Sequence, residues 1–261
     1  MATTKNIQSL ERAFSILELF QKTGRAEHSI KEISDALQLN KSTTFGLVNT
    51  MASLGYLKQN NDNQKYALGL KLLNFSHTVQ VQNIVFQSVH PFLEQLTQKY
   101  GETTHCAVLH NDGVIYIDKV EASDTILIST QIGSQNDFHY CGVGKCILAY
   151  MPPEAQERYY NTNLKTKTHN TISNSQQLRE EIRRVRVNGY ATDDEESVLG
   201  LSCVAVPVFS APDTVACSIS VSGITSRIQA AKDKGIINEL KWIAATISKK
   251  KFHYHYTVNE I

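Results

Sequence analysis

The spacing of the apolar residues along this 261-residue chain changes near residue 103. Before that point apolar residues recur at helical intervals, as Leu10, Phe14 and Leu17 do in the first predicted helix. After it they alternate with polar residues as in strands, and residues 111–113 (Asn-Asp-Gly) carry the signal of a tight hairpin. Helical spacing then returns between and after the predicted hairpins. The pattern predicts an α+β chain with a helical N-terminal module and a C-terminal module built on an antiparallel sheet.

The N-terminal module reads as three helices followed by a hairpin. Gly24 ends the first helix, and apolar residues within 30–37 mark a short second helix. Asn40 is suited to cap a third helix that stops near Gly55, and residues 56–68 predict the hairpin. Two short helices joined by a tight turn and followed by a hairpin are typical of a winged helix-turn-helix. A three-helix bundle with an appended hairpin is the alternative.

The third helix has an apolar stripe and an opposite face that is free to read DNA. The stripe consists of Thr44, Leu47, Val48, Met51 and Leu54. On the other side, hydroxyls at the helix N-terminus suit phosphate, and the Asn49 amide suits adenine. The predicted DNA-binding residues, including two hairpin lysines, are Ser42, Thr43, Phe45, Gly46, Asn49, Thr50, Lys58 and Lys65. Capping by Ser42 and Thr43 and partial burial of Phe45 are the plainer alternatives.

The rest of the chain divides into a linker and a second domain. Residues 70–100 are mostly helical in pattern, and Pro91 predicts a break or kink there. We therefore expect a DNA-binding domain over residues 1–70, a linker helix over 71–90 and an effector-binding and oligomerisation domain over 91–261. The strands predicted in this last domain are residues 104–109, 114–120, 126–132, 203–209 and 215–221. The helices predicted there begin near Gly142, Pro153, Ser175 and Ile236.

Charge and composition exclude several classes of protein. The net charge is +1, which excludes a wholly basic nucleic-acid coat protein, although residues 1–78 carry nine basic and six acidic side chains. No apolar run is long enough to cross a membrane, and the first 20 residues lack a signal-peptide core. Five cysteines in mixed contexts do not suggest a disulfide framework. We therefore expect a cytoplasmic protein with no membrane partner.

Several segments, in the same order along the chain, resemble the IclR family of bacterial transcriptional regulators. The matching segments are residues 41–45, 55–57, 66–69, 142–145, 189–196, 200–209 and 219–223. The resemblance implies an N-terminal winged helix-turn-helix and a C-terminal GAF-like effector-binding domain. It also implies a homodimer or tetramer that binds double-stranded operator DNA, and by family habit a repressor. Three positions depart from the family pattern, which usually has Arg at Gly46, often has Pro at Asp137, and has Asp or Asn at Ser210.

The resemblance also places an effector site in the C-terminal domain. Gly142 and Val143 would offer backbone N–H groups to a carboxylate at the start of a helix. An ionised Asp193 would repel that carboxylate unless it met a hydroxyl, a water or its own proton, which favours a keto, hydroxy or sugar acid. The implied effector-binding residues are Gly142, Val143, Asp193, Leu201, Cys203, Ser220 and Ser222. For Glu195 and Glu196, which lie in a charged turn, we expect a solvated or structural role.

Other functions remain open at this point. A metal sensor would use side chains among His105, Cys106, His139, Cys141 and Cys146, although their spacing matches no common zinc motif. A redox switch would use Cys141 or Cys203. An enzyme would need a nucleophile such as Cys203 or Ser220, but no nucleophile elbow or phosphate loop is present. We therefore expect no catalytic residue, no bound metal and no cofactor.

Overall fold

The structure is a computed structural model that describes residues 6–122 and 130–249, without the side chains of residues 77 and 80–82. The chain divides into two compact units, Met1–Val79 and Gln80–Ile261. Within the described residues, no helix is both long enough and apolar enough to cross a membrane. Helices and strands are mixed, so the predicted α+β fold class is confirmed.

The N-terminal unit contains a helix-turn-helix and a two-stranded antiparallel hairpin. Its core is formed by apolar residues of the first three helices and the hairpin, among them Ile16, Ile33, Val48 and Leu57. Its elements are α1 (Gln8–Thr23), α2 (Ile30–Ala36), α3 (Lys41–Ser53), β1 (Leu57–Gln59) and β2 (Tyr66–Leu68), followed by α4 (Lys71–Gln82), which runs past the unit boundary.

Local signals at the helix ends explain where these helices begin and stop. Ser29 and Glu32 form a reciprocal capping box at the start of α2. Asn40 caps α3 by accepting a hydrogen bond from the Thr43 N–H, as predicted. Gly24 adopts a left-handed conformation directly after α1, which confirms the predicted stop.

The first helix was predicted correctly, but of the three apolar residues that indicated it only Leu17 packs against the core. Leu10 and Phe14 are 53% and 62% exposed, whereas Ile16, Leu19 and Phe20 are buried in the core. Apolar residues occur on more than one side of α1, so the spacing indicates a helix without showing which side packs on α2 and α3. Leu10 and Phe14 on α1 consequently remain uncovered by the residues that the structure describes.

The break predicted at Pro91 lies elsewhere. The helix α5 (Ile84–Tyr100) runs through Pro91, and the interruption falls at Asn83. The Asn83 side chain accepts hydrogen bonds from the Val85 and Phe86 N–H groups, so it starts a new helix after α4. A side chain that caps a helix therefore determines the boundary here, and proline does not.

The C-terminal unit is built on one six-stranded antiparallel sheet in the order β5-β4-β3-β8-β7-β6. The strands are β3 (Thr103–His110), β4 (Gly113–Val120), β5 (Gln135–Asp137), β6 (Ala191–Asp194), β7 (Leu201–Ala211) and β8 (Thr214–Ile224). Asn111 and Asp112 form the predicted two-residue turn between β3 and β4, with Asn111 at a φ of 50°.

Helices cover both faces of this sheet. On one face α5, α9 (Thr225–Asp233) and α10 (Ile236–Ser248) pack on apolar strand residues such as Val206 and Ile219. On the other face α6 (Gly142–Leu148), α7 (Pro153–Tyr160) and α8 (Ser175–Asn188) enclose a second core. Strand alternation sends successive side chains to opposite faces, so one sheet serves two cores.

Three elements of this unit were not predicted, and one predicted strand is only partly described. The predicted strand over residues 126–132 falls largely on residues 123–129, outside the described residues, and residues 130–132 are not in a strand. The edge strand β5, which was not predicted, follows residue 134. The short strand β6 and the helix α9 were not predicted, because each is short and lies in a segment rich in polar residues.

Candidate DNA-binding and effector sites

The N-terminus of α3 is organised by Asn40. The Asn40 side-chain oxygen accepts from the Thr43 N–H at 2.9 Å and from the Ser42 hydroxyl at 3.1 Å. Ser42 remains exposed and Thr43 is half-buried. Asn40 is therefore the capping residue, and Ser42 and Thr43 are its hydrogen-bond donors. The exposure of Ser42 leaves room for an additional contact to phosphate.

The outer face of α3 carries the remaining predicted reading residues. Phe45 is 55% exposed, so it does not lie in the core as the alternative held. Gly46 and Thr50 are exposed, and a Cβ built on Gly46 meets nothing within 4 Å. Thr44, Val48 and Met51 form the buried stripe, but Leu54 does not, because it lies at the C-terminal cap and is exposed.

Asn49 is held in place by a residue of the hairpin. The Tyr66 hydroxyl donates to the Asn49 side-chain oxygen at 3.2 Å, and Tyr66 itself is buried. This bond fixes the orientation of the Asn49 amide before DNA is bound and occupies one lone pair of its oxygen. Sequence reasoning missed Tyr66, since the contact joins residues 17 positions apart.

The hairpin tip is fixed by an acidic residue that was also missed. The Glu27 carboxylate accepts from the Asn60 and Asn63 side-chain amides at 2.8 and 2.7 Å. These hydrogen bonds lower the pKa of Glu27. Lys58 is exposed on β1, and the Lys65 ammonium lies 3.9 Å from the Glu32 carboxylate, which partly balances its charge.

The seven residues implied as effector-binding all line one cavity of about 70 Å³ in the C-terminal unit. Strand register explains how distant segments meet there. Cys203 pairs with Ser222, and Leu201 and Cys203 are two positions apart on β7, as Ser220 and Ser222 are on β8. These four side chains therefore lie on the same face of the sheet, opposite the face that α5 and α10 cover.

The glycines at the start of α6 allow the helix to approach the sheet closely. A Cβ at Gly142 would lie 2.7 Å from the Cys203 sulfur, and one at Gly144 would lie 2.6 Å from the Phe138 carbonyl oxygen. Packing thus explains both glycines without a ligand. The same close approach places the first-turn N–H groups of α6, which lack partners within the helix, at the cavity wall.

Asp193 is buried in the cavity wall, and its charge is only partly compensated. Its carboxylate accepts from the Glu196 N–H at 2.7 Å and from the Ser197 N–H at 3.3 Å. Burial raises the pKa of Asp193 to about 7, since it outweighs these hydrogen bonds and the attraction of Lys145. Near neutral pH the carboxyl group therefore exchanges between its charged and neutral forms.

A buried ion pair lies behind Asp193. The Lys145 ammonium bonds to the Glu196 carboxylate at 2.5 Å and to the Thr192 carbonyl oxygen at 2.9 Å, and Glu181 lies 3.7 Å away. Burial lowers the pKa of Lys145, but the two glutamates outweigh it, so the net shift is upward. The structural role expected for Glu196 is present, although this residue is buried and not solvated.

Burial favours the neutral form of the other titratable groups of the cavity. Burial lowers the pKa of His105 to about 3 and raises the pKa of Cys141 to about 12. His105 and Tyr116 were missed as lining residues, together with Thr130, Asn136, Cys141, Ser197, Val198 and Ser202. The alternation of β3 and β4 could have found the first two, because each occupies a position whose side chain faces this side of the sheet: His105 pairs with Ser220, and Tyr116 pairs with Ala107.

The geometry disfavours the metal and redox alternatives. Both ring nitrogens of His139 are engaged, one with the Tyr159 hydroxyl at 2.7 Å and the other with the Lys165 carbonyl oxygen at 2.9 Å. Over residues 6–122 and 130–249, no three His, Cys, Asp or Glu side chains are grouped to hold a metal ion. Burial raises the pKa of Cys203 and of Cys141, the opposite of what a reactive thiol requires.

Comparisons with known proteins find matches for both units. Residues 9–61 match the IclR helix-turn-helix domain, and residues 76–249 match the C-terminal domain of the bacterial transcriptional regulator IclR. The HTH-type transcriptional regulator XynR of Escherichia coli is 34% identical, covering 93% of this chain and 96% of the relative. The transcriptional repressor IclR of the same organism is 31% identical, with 86% and 83% covered. Among solved structures, an IclR transcriptional regulator from Alicyclobacillus acidocaldarius is similar with a TM-score of 0.85 at 27% identity, covering 95% of this chain and 100% of that one.

Proposed function

Because this chain belongs to the IclR family of bacterial transcriptional regulators, we propose that it is a cytoplasmic repressor of a catabolic operon whose operator affinity is changed by a small organic acid. The family resemblance noted in the sequence is thereby confirmed, and the relatives are transcriptional regulators, not enzymes. The observation that carries the effector part of the proposal is the one cavity shared by Gly142, Val143, Asp193 and the four strand residues.

On the DNA side, α3 enters the major groove and the hairpin lies along the backbone. Phe45, Gly46, Asn49 and Thr50 face the bases, while Ser42 and Thr43 meet phosphate at the helix N-terminus. The absence of a side chain at Gly46 removes the guanine contact that an arginine there would make. We therefore expect an operator that differs from those of relatives with arginine at this position.

Few basic side chains support binding by one copy. Lys41, Lys58 and Lys65 are the lysines of α3 and the hairpin, and Lys65 is already near Glu32. Because phosphate contacts supply most of the affinity for DNA, each copy binds modestly and a second copy supplies the rest.

The homodimer, or a tetramer formed by two such dimers, is supported by uncovered apolar residues of the N-terminal unit. Leu10 and Phe14 on α1 are exposed, as are Leu73 and Val79 on α4. Large apolar side chains that lie together in an exposed patch mark interaction surfaces. A second copy of the chain that covers these residues would bring two reading helices together on one operator.

The cavity favours a small effector. Its volume of about 70 Å³ is far below the roughly 300–1,000 Å³ typical of sites for larger ligands, so a three-carbon acid suits it better than a sugar acid. The hydroxyls of Ser220 and Ser222 offer hydrogen bonds to a keto or hydroxy group, whereas the two ring nitrogens of His105 already meet Thr130 and Ser222. The backbone N–H groups of α6 meet the carboxylate, and Asp193 takes up a proton to accommodate it.

Fluorescence anisotropy tests the DNA-binding part. The full chain is titrated into DNA from upstream of its own gene and into scrambled DNA of equal length, over a series of salt concentrations. We expect at least about tenfold preference for the upstream DNA, which corresponds to about 1.4 kcal/mol. The double variant Thr43→Ala/Asn49→Ala should lose that preference, and normal operator affinity in this variant would overturn the assignment of the reading helix.

The effector part is tested in the same assay by adding pyruvate, lactate or glycerate. Asp193→Ala should keep operator affinity and lose the response to the acid that acts on the wild type. Asp194→Ala is the matched control, since Asp194 is exposed and adjacent but lies outside the cavity. An unchanged response in Asp193→Ala would remove Asp193 from the site.

A further inference from the structure

A second and larger cleft lies in the C-terminal unit, at the opposite end of α6 from the effector cavity. It has a volume of about 820 Å³, and it shares no lining residue with that cavity. Its walls come from α7, α8, the residues that follow α6 and the hairpin between β7 and β8. This volume falls within the range of roughly 300–1,000 Å³ that is typical of ligand sites.

The floor of the cleft is apolar. Leu109, Tyr150, Met151 and Val215 line it, and each is a partly buried member of the core between the sheet and α6–α8. That core is therefore not closed on this side. An apolar or aromatic group placed in the cleft would cover these residues and remove apolar surface from water.

Arginines of α8 form one wall. Arg179, Arg183 and Arg186 are spaced by four and three residues, so they share one face of the helix, and all three line the cleft. Arg179 pairs with Glu157 and lies 4.5 Å above the Tyr160 ring. These contacts hold the guanidinium in place and balance its charge.

The positive charge of Arg186 is balanced in a similar way at the other end of the wall. Its guanidinium donates to the Ala149 carbonyl oxygen at 3.0 Å and to the Asp213 carboxylate at 3.3 Å. It also lies 5.1 Å above the Tyr150 ring. Arg183 stands between these two residues, and its side chain makes no hydrogen bond or ion pair with any other residue that the structure describes.

We propose that this cleft binds an organic monoanion, a carboxylate carried on an apolar body of aromatic size, with Arg183 as its charge partner. Two of the three guanidinium charges are already balanced, which leaves one positive charge for the ligand. The planar guanidinium of Arg183 matches a carboxylate with two parallel hydrogen bonds. Tyr150 and the aliphatic residues of the floor then pack against the ring of the ligand.

The test uses 2-naphthoate as the probe, titrated into the full-length protein and followed by the fluorescence anisotropy of the naphthyl group. We expect saturable binding at one site. Arg183→Gln should weaken binding about tenfold or more, the effect of losing a hydrogen bond to a charged group. Arg183 is exposed, so this variant should fold normally.

Two control variants separate this cleft from its surroundings. Arg184→Gln changes the adjacent arginine, which pairs with Glu181 and does not line the cleft, and it should leave naphthoate affinity unchanged. Asp193→Asn changes the effector cavity and should also leave this affinity unchanged. The uncharged probe 2-naphthylmethanol should bind the wild type weakly and should not respond to Arg183→Gln.

Several results would overturn the proposal. These are the absence of saturable naphthoate binding, equal binding by wild type and Arg183→Gln, and equal binding of the charged and uncharged probes. Loss of binding in Asp193→Asn would place the probe in the other cavity. A change of sedimentation mass in Arg183→Gln with unchanged probe binding would show that the cleft is an interface between copies.

Discussion

Replacing Asp193 with asparagine should remove a pH-dependent cost of folding from the C-terminal unit. Burial raises the pKa of Asp193 from 3.8 to about 7, so the unfolded chain releases this proton at a lower pH than the folded chain does. Stability is therefore unaffected by this group below about pH 4, falls as the pH rises towards 7, and is constant above that. The amide in the variant would stay neutral at every pH, and its oxygen would still accept from the Glu196 N–H.

The magnitude follows from the shift itself. One pKa unit corresponds to about 1.4 kcal/mol, so a carboxyl group that titrates near 7 instead of 3.8 costs about 2 kcal/mol more at pH 7 than at pH 5. The wild type should thus lose about 2 kcal/mol more of its free energy of unfolding across this interval than Asp193→Asn does. Taking the difference between the two proteins removes the contribution of the groups that titrate in both.

Urea unfolding at pH 5 and pH 7 measures this difference. The fluorescence of Trp242, the single tryptophan, reports on α10 and hence on the C-terminal unit. Asp194→Asn is the control, because Asp194 is exposed and its partner Lys232 lies 3.3 Å away at the surface. Equal pH dependence in wild type and Asp193→Asn would refute the reasoning that burial dominates the titration of Asp193.

Three other substitutions test the energetics. Gly46→Ala should raise the free energy of unfolding of the N-terminal unit by about 1 kcal/mol, because alanine favours the helix and its methyl group meets open space. Amide hydrogen exchange in α3 measures this change. Unchanged or faster exchange would contradict the prediction. Lys145→Met should lower the free energy of unfolding of the C-terminal unit in urea by about 3–5 kcal/mol, since it leaves buried Glu196 without its cation. The double variant Lys145→Met/Glu196→Gln should recover part of this loss of stability. If the losses of the two single variants simply add, the two side chains are not energetically coupled. Tyr66→Phe should cost about 0.5–1.5 kcal/mol of stability, since it removes the hydrogen bond to Asn49. It should also weaken discrimination between operator and scrambled DNA, because the Asn49 amide is then free to turn. Discrimination equal to that of the wild type would show that this bond does not orient Asn49.

Local patterns were sufficient where a short stretch of chain determines the structure. The cap at Asn40, the stop at Gly24 and the turn at 111–112 each depend on the conformational preferences of a few neighbouring residues. The alternating strands β7 and β8 likewise place Cys203 and Ser222 on one face, once their pairing is given. The family motifs added the N-terminus of α6 and Asp193 to the same candidate site.

The amino-acid sequence by itself determined the order and type of most elements, because hydrophobic period and capping residues act over a few positions. Only the tertiary structure decided that Leu10 and Phe14 remain exposed, and that Lys145 meets Glu196, 51 positions away, in the interior. It also decided that Arg183 faces an apolar cleft. A helix with apolar residues on several sides can be packed in more than one way, and a buried charge is tolerable only where the fold supplies its partner. Both outcomes depend on strand register and helix placement across the whole unit, which local spacing does not specify.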